Sequence, residues 1–232
     1  MYSFGRIEVQ DDRDTLFGIA PMLMAVPRIS EKFWWDEGWW GDQGNTNECV
    51  AYSWSHWIED GPVIQDLVEG RVKPLFNTTQ LYETCQKIDR FPGENYSGTT
   101  VRAGAKALQK LGIVTEYRWA FNVDEIVNTL LTLGPMVVGT KWFNKMQFPD
   151  KNGLIRAEGR SMGGHAYLLN GVNTEKGYLR IKNSWGRKWG DHGHAYIGID
   201  DFEKLFRDGG EACIARETKI TNVPSLGLII PS

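Results

Sequence analysis

The sequence predicts an α+β fold of two lobes, and three observations carry that prediction. The first half places apolar residues at helical spacing. After the Gly134-Pro135 pair the chain breaks into short runs rich in β-branched and aromatic residues. Helices gathered first and strands gathered later indicate segregated layers rather than alternating βαβ units. We therefore place an irregular N-terminal arm at 1–30, a mainly helical lobe at 31–133, a mainly antiparallel, barrel-like β lobe at 134–217 and a C-terminal tail at 218–232. A cleft between the lobes is the expected location of a site.

Taken in order, RIEVQDD in the arm reads as a short strand. EKFWWDEGWWGDQG then crowds Trp34, Trp35, Trp39 and Trp40 together, which reads as aromatic packing where the arm crosses the core rather than as a ligand-stacking platform. From Cys49, the residues Val50, Trp54, Trp57 and Ile58 form one helical stripe, and Gly61-Pro62 stops it. A second helix runs near 79–89, with Leu81, Cys85 and Ile88 on one face. A third covers 101–111, with Val101, Ala105 and Leu108 aligned and Gly112 closing it. A fourth starts with Asp124 as N-cap and ends at Gly134-Pro135. MVVGTKW, HAYLLNGV, GYLRIKN and HAYIGI read as strands, with VNTEKG a hairpin connection; DFEKLF is a brief helix and EACIARE a last strand.

Composition excludes several function classes. The chain has 232 residues, 41% hydrophobic and 24% charged, with 26 basic and 29 acidic side chains and a net charge of −3. No block of five like charges occurs, which argues against nucleic acid or an anionic membrane as the main partner. The apolar runs around Ala20–Val26 and Leu226–Pro231 are too short for a membrane span. Cys49, Cys85 and Cys213 are too few and scattered for a disulfide framework or zinc ribbon and fit a reducing compartment. The polar, acid-bearing N-terminus lacks the features of a secretory signal.

Cys49 opens its helix, where the helix dipole favours a thiolate; an imidazole is the second requirement for a reactive thiol. His56 lies two turns along the same helix and reads as a packed or surface residue. His192 and His194 bracket Gly193 in a turn and read as solvated. His165 follows Gly163-Gly164 at the start of a strand, where a glycine approach opens one wall of a cleft. Asn183 in IKNSWG stands opposite His165 if the two strands pair around a turn centred on residue 174. A metal site from Cys49, His165 and His194 lacks the local spacing of ligand pairs, and no cofactor is called for.

Together, GDQGNTNECVAYSW, GHAYLLNGV and KNSWGRKWGDHGHAYI resemble the papain-like (C1-type) cysteine peptidases, over about Pro27 to Glu217. His165 and Asn183 follow Cys49 by 116 and 134 positions, against about 130–150 in papain and the cathepsins. PGENYSGTTVRAGAKALQKLGI resembles the shorter members of bacteria and tailed phages, and no pro-domain of the usual length precedes the match. The resemblance implies Cys49 as nucleophile, His165 as base and then acid, Asn183 as the group orienting the imidazole, and Trp185 as a shield over that bond. It implies Gln43 and the Cys49 N–H as oxyanion donors and Gly98 as the glycine that lets substrate backbone pair along the cleft, with Gly164 a supporting residue through the glycine approach to His165. The substrate would be a polypeptide or a related amide.

Two departures stand out. The family signature C-G-S-C-W reads Thr46-Asn47-Glu48-Cys49-Val50, so a neighbouring half-cystine is lost; Cys85, which aligns with its partner, and Cys213 read as small buried hydrophobes. Glu48 would either raise the Cys49 pKa or favour basic or polar substrate groups. An alternative reading is a catalytically silent or secondary interaction protein of a phage particle, docking through residues 1–26 and 221–232. Self-packing of Phe17, Ile19, Met22 and Leu23 stands level with such docking. Either way the expected location is the cytoplasm of the producing cell or a virus particle.

Overall fold

Successive side chains of a strand point to opposite faces, and in the central strands of this protein both faces are buried. Val137, Ala166, Leu168 and Cys213 belong to one apolar core; Met136, Val138, Tyr167, Leu169, Ala212 and Ile214, their sequence neighbours, belong to another. The computed structural model describes residues 2–23, 28–36, 38–61, 77–89 and 97–217. In chain order the elements are β1 (Glu31–Phe33), α1 (Cys49–Asp60), α2 (Thr78–Asp89), α3 (Val101–Lys110), β2 (Val114–Ala120), α4 (Val123–Thr132), β3 (Met136–Phe143), β4 (Leu154–Ile155), β5 (Ser161–Asn173), β6 (Tyr178–Lys182), β7 (His194–Gly198), α5 (Ile199–Arg207) and β8 (Glu211–Glu217). The fold is α+β, with α1, α2 and α3 covering one core and α4 with α5 the other.

The sheet runs β2-β8-β3-β5-β6-β7-β4, with β1 added to β5. Its pairs are antiparallel except β4 with β7. Among the described residues no helix is long and apolar enough to cross a membrane.

Several expectations change in detail. The strand VTEYRWA was not foreseen; it is β2, paired with β8 at the sheet edge. Helix α4 starts earlier than Asp124 suggests: Asn122, with extended φ −149° and ψ 166°, accepts the Glu125 N–H as N-cap, and Asp124 sits in the first turn. RIEVQDD forms no strand. Arg6 alone bridges Thr99, and Asp12–Phe17 is a 3₁₀ turn. The β5–β6 hairpin turns later than residue 174, with Asn173 opposite Tyr178 and a bulge between Leu169 and Gly171. That register sets Leu168 against Lys182, so Asn183 reaches His165 diagonally and not from directly across.

Three apolar residues of the arm pack on the protein's own core, while Leu16 and Phe17 stay exposed. Ile19 is fully buried in the second core and its N–H donates to Trp119 O at 2.8 Å. Met22 and Leu23 lie against the same core, and Phe17 stacks on Tyr117 at 6.1 Å. The tail at 221–232 lies outside the described residues. Cys85 and Cys213 are buried free thiols, as their helical and strand positions imply.

A buried ion pair ties the two halves together. Lys182 at the end of β6 donates to both carboxylate oxygens of Asp60 at the end of α1, at 2.8 and 2.7 Å, and both side chains are wholly buried. Trp40 covers the ammonium at 4.3 Å. Removing one member leaves the other charge without its partner in a dry site. Lys182→Met is expected to cost about 3–5 kcal/mol in urea denaturation, and adding Asp60→Leu should recover part of it. A single-variant loss below about 1 kcal/mol would be the value of an exposed pair and would contradict this role.

Candidate active site

Cys49 is the first residue of α1, so its sulfur sits at the positive end of the helix dipole. The backbone amides of Ala166, Gly5 and Val50 act on the sulfur and favour its thiolate form. His165 lies near the start of β5, and its Nε2 is 2.9 Å from Asn183 Oδ1. That carboxamide oxygen also accepts the Ser184 N–H at 2.8 Å, which fixes the amide orientation. Trp185 stacks on His165 at 5.0 Å and is buried, so the His165–Asn183 bond is closed off from water on that side. Trp142 meets the imidazole edge-on at 4.8 Å.

Gln43 is buried beside them. Its Oε1 accepts from Ser184 Oγ at 2.5 Å, and its Nε2 donates to Thr46 O at 2.7 Å and to Ser3 O at 3.2 Å. Five residues singled out from sequence, Cys49, His165, Asn183, Gln43 and Trp185, therefore converge. Gly98 and Gly164 stand where another stretch of main chain passes close by. Gly98 has φ +103°, and a Cβ there would lie 2.3 Å from Gly5 O; a Cβ on Gly164 would lie 2.3 Å from Arg6 O.

Those clashes are with the protein's own N-terminal arm, which fills the cleft. Thr99 N–H donates to Gly5 O at 2.8 Å, Ile7 N–H to Thr99 O at 2.9 Å and Arg6 N–H to Gly164 O at 3.0 Å. Phe4 meets His165 edge-on at 5.7 Å and Tyr2 stacks on Trp185 at 4.2 Å. Arg6 locks the segment: its Nε donates to Glu211 at 2.8 Å and one terminal nitrogen to Gly209 O at 2.8 Å.

The arm also sets the electrostatics. Cys49 and His165 are both 0% exposed. Burial pushes the Cys49 thiol up, partly offset by the amides at the sulfur and by the Arg6 charge. Burial pulls His165 down to about 4 although Asn183 holds the proton-bearing nitrogen. His165 Nδ1 is buried without a hydrogen-bond partner, so no hydrogen bond joins it to the sulfur. With the arm in place the pair is neutral, because low dielectric disfavours both charged forms.

Glu48 turns away from the sulfur. Its carboxylate accepts from Thr79 Oγ1 at 3.2 Å, burial and Glu83 raise its pKa, and it is not among the charges acting on Cys49. His194 is not solvated, contrary to its turn position; its Nε2 lies 2.7 Å from Asp36, which Arg180 also pairs. Sequence reasoning missed Ser184, whose signal was its place directly after Asn183, and it missed Gly5 and Arg6, whose contacts are all long-range.

The family model for the papain family cysteine proteases matches residues 70–213, more than half of the chain, including His165 and Asn183 and starting beyond Cys49. The chain belongs to this family. Similar proteins include an uncharacterized peptidase C1-like protein of Acanthamoeba polyphaga mimivirus, 24% identical over 141 residues, covering 42% of this chain and 45% of that protein. Cathepsin O of Mus musculus is 31% identical over 101 residues, covering 42% of this chain and 28% of its own length. This papain-family chain thus matches less than half the length of those curated relatives. Xylellain, a cysteine protease from Xylella fastidiosa, shares the fold with a TM-score of 0.75 at 19% identity, over 93% of this chain and 96% of that one.

The low His165 value carries a stability signature. Its folded pKa of about 4 lies below the ordinary value of 6.5, so between these the unfolded chain binds the proton better. Stability from the neutral imidazole is present above about pH 6.5 and is lost as pH falls toward 4, by up to about 3 kcal/mol. Urea unfolding of the chain and of His165→Gln should diverge in that window in this sense. A stability difference independent of pH from 6.5 to 4 would contradict the burial.

Proposed function

We propose that this papain-family chain is a cysteine peptidase that cuts polypeptide or related amide bonds at Cys49, and that its N-terminal arm holds the site closed. The observation that carries the reading is the arm itself: an extended backbone lies between Gly98 and Gly164, against Cys49, His165 and Gln43. A cleft that pairs backbone amides along both walls is suited to polypeptide.

The arm is not poised to be cut. It runs parallel to Thr99, its Gly5 carbonyl is taken by the Thr99 N–H, and it is the Gly5 amide that acts on the sulfur, where a scissile bond must present its carbonyl carbon. Once the arm withdraws, water reaches the pair and the helix N-terminus favours thiolate with imidazolium. Cys49 then attacks the carbonyl carbon, and Gln43 Nε2 with the Cys49 N–H takes the developing oxyanion. His165 passes its proton to the leaving amine, then deprotonates the water that hydrolyses the thioester, while Asn183 keeps the ring in place. A silent particle protein is the second reading; its support is the apolar tail at 221–232, outside the described residues, and it leaves the convergence of Gln43, His165 and Asn183 without a purpose.

A single change tests closure in the full-length chain. A Cβ on Gly5 would lie 1.9 Å from Asn47 O, so Gly5→Leu should expel the arm without touching the reacting groups. Iodoacetamide should alkylate Cys49 on the order of 10²-fold faster in Gly5→Leu than in the unaltered chain, the ratio expected for a closed state about 99% populated. Gly5→Leu should also hydrolyse peptide substrates, and adding Cys49→Ala should abolish this. Alkylation at equal rates would reject the plug; hydrolysis surviving without Cys49 would reject the mechanism. Gln43→Ala in the Gly5→Leu chain should lower kcat by roughly 10²–10³; a loss of fold instead, seen by circular dichroism, would make Gln43 structural.

A further inference from the structure

His56, seven residues after Cys49 on α1, is buried, and its Nε2 accepts the backbone N–H of Gly41 at 3.0 Å. An accepting nitrogen carries no proton, so the ring is neutral with its hydrogen on Nδ1, an atom buried without a partner. Burial, then the charges of Lys182 and His194, push its pKa well below the ordinary value, consistent with that neutral form. Trp39 packs beside the ring at 5.2 Å.

Gly41 opens the turn that carries Gln43. A Cβ at position 41 would lie 2.4 Å from the Tyr52 ring and 2.5 Å from Trp39, so the turn is pressed onto α1. On its other side Gly41 O accepts Gly186 N–H at 3.1 Å, and Gln43 N–H donates to Ser184 O at 2.8 Å. The turn is therefore clamped between α1 and the segment that follows Asn183.

We propose that His56 is a positioning residue for the oxyanion donor: by holding Gly41 it sets where the Gln43 amide points. The inference rests on the peptidase reading and deepens it. Seven residues of helix span about 10 Å, so one rigid element fixes the Cys49 sulfur and N–H at its start and the Gln43 turn two turns later. Were His56 a core filler alone, leucine would replace it. Leucine instead leaves the Gly41 N–H buried without an acceptor, which the turn relieves by shifting.

The test compares His56→Leu and His56→Gln in the full-length Gly5→Leu chain, with two reactions at Cys49. Hydrolysis of a peptidyl coumarin amide builds an oxyanion; alkylation by iodoacetamide displaces iodide at a saturated carbon and builds none. His56→Leu should lower kcat about 10–100-fold, the size expected for a misplaced group. Its KM and alkylation rate should stay within about twofold. His56→Gln, whose amide oxygen can accept from Gly41, should restore most of kcat. Equal losses in both reactions would make His56 a structural residue, and no loss in either would remove it from the site. Hydrogen exchange at the Gly41 amide, measured in the otherwise unaltered full chain, gives a readout free of activity. It should accelerate in His56→Leu and recover in His56→Gln, and unchanged protection overturns the assignment. If Gly5→Leu hydrolyses nothing, the peptidase reading fails, and the exchange result alone decides whether His56 holds the turn.

Discussion

The seating of one helix against one strand governs the rest of this structure. Helix α1 brings its N-terminus to β5, so that the Cys49 sulfur meets the Ala166 amide directly beside His165. Gly104, where a Cβ would lie 2.0 Å from the Trp54 ring, lets α3 close on α1 from behind. The Asp60–Lys182 pair pins the far end of α1 to β6, the strand that leads into Asn183. Two ends of one helix thus fix the nucleophile and the imidazole support relative to each other. A buried pair of this kind adds little net stability over an apolar substitute, and its worth here is registry.

The state of the Cys49–His165 pair follows from what fills the cleft. A dry cleft favours thiol and neutral imidazole; a wet cleft at a helix N-terminus favours thiolate and imidazolium. The two forms hold the same number of protons, since the hydrogen moves from sulfur to nitrogen. Between the acid limit of the imidazole and the alkaline limit of the thiol, arm release needs no net proton uptake from this pair. Any pH dependence of opening must then come from other groups at the arm. One such group is Glu211, the partner of Arg6, whose pKa burial raises and the Arg6 and Arg102 charges lower, with Asp14 adding to the rise.

Much of the architecture was legible in the sequence because the relevant signals are local. The stripe of α1, the Gly112 closure of α3 at φ +74° and the β5–β6 hairpin all follow from residues within one element or turn. The convergence of Cys49, His165, Asn183 and Gln43 was legible through motifs whose spacing is specific. What was not legible depends on partners distant in sequence. The bulge beside Asn170 shifts the hairpin register, and Asn170 is held there by Arg180 from β6 and by Asp36 from outside that hairpin. His194 reads as a turn residue until Asp36, 158 positions away, is placed against it. Gly5 and Arg6 carry no motif, and only Thr99, Gly164, Gly209 and Glu211 give them meaning.

The arm shows why the cleft selects backbone and not a particular side chain at its centre. Its ties to both walls are backbone hydrogen bonds, at Thr99 on one side and Gly164 on the other, and the glycines leave room only for main chain at those points. Such walls accept either chain direction, because each peptide carries a donor and an acceptor. Direction decides chemistry: one polarity brings a carbonyl carbon to the sulfur, and the other brings an N–H, as Gly5 does. A segment of the second polarity can therefore bind as substrate does, satisfy the same backbone groups, and stay uncut beside the nucleophile.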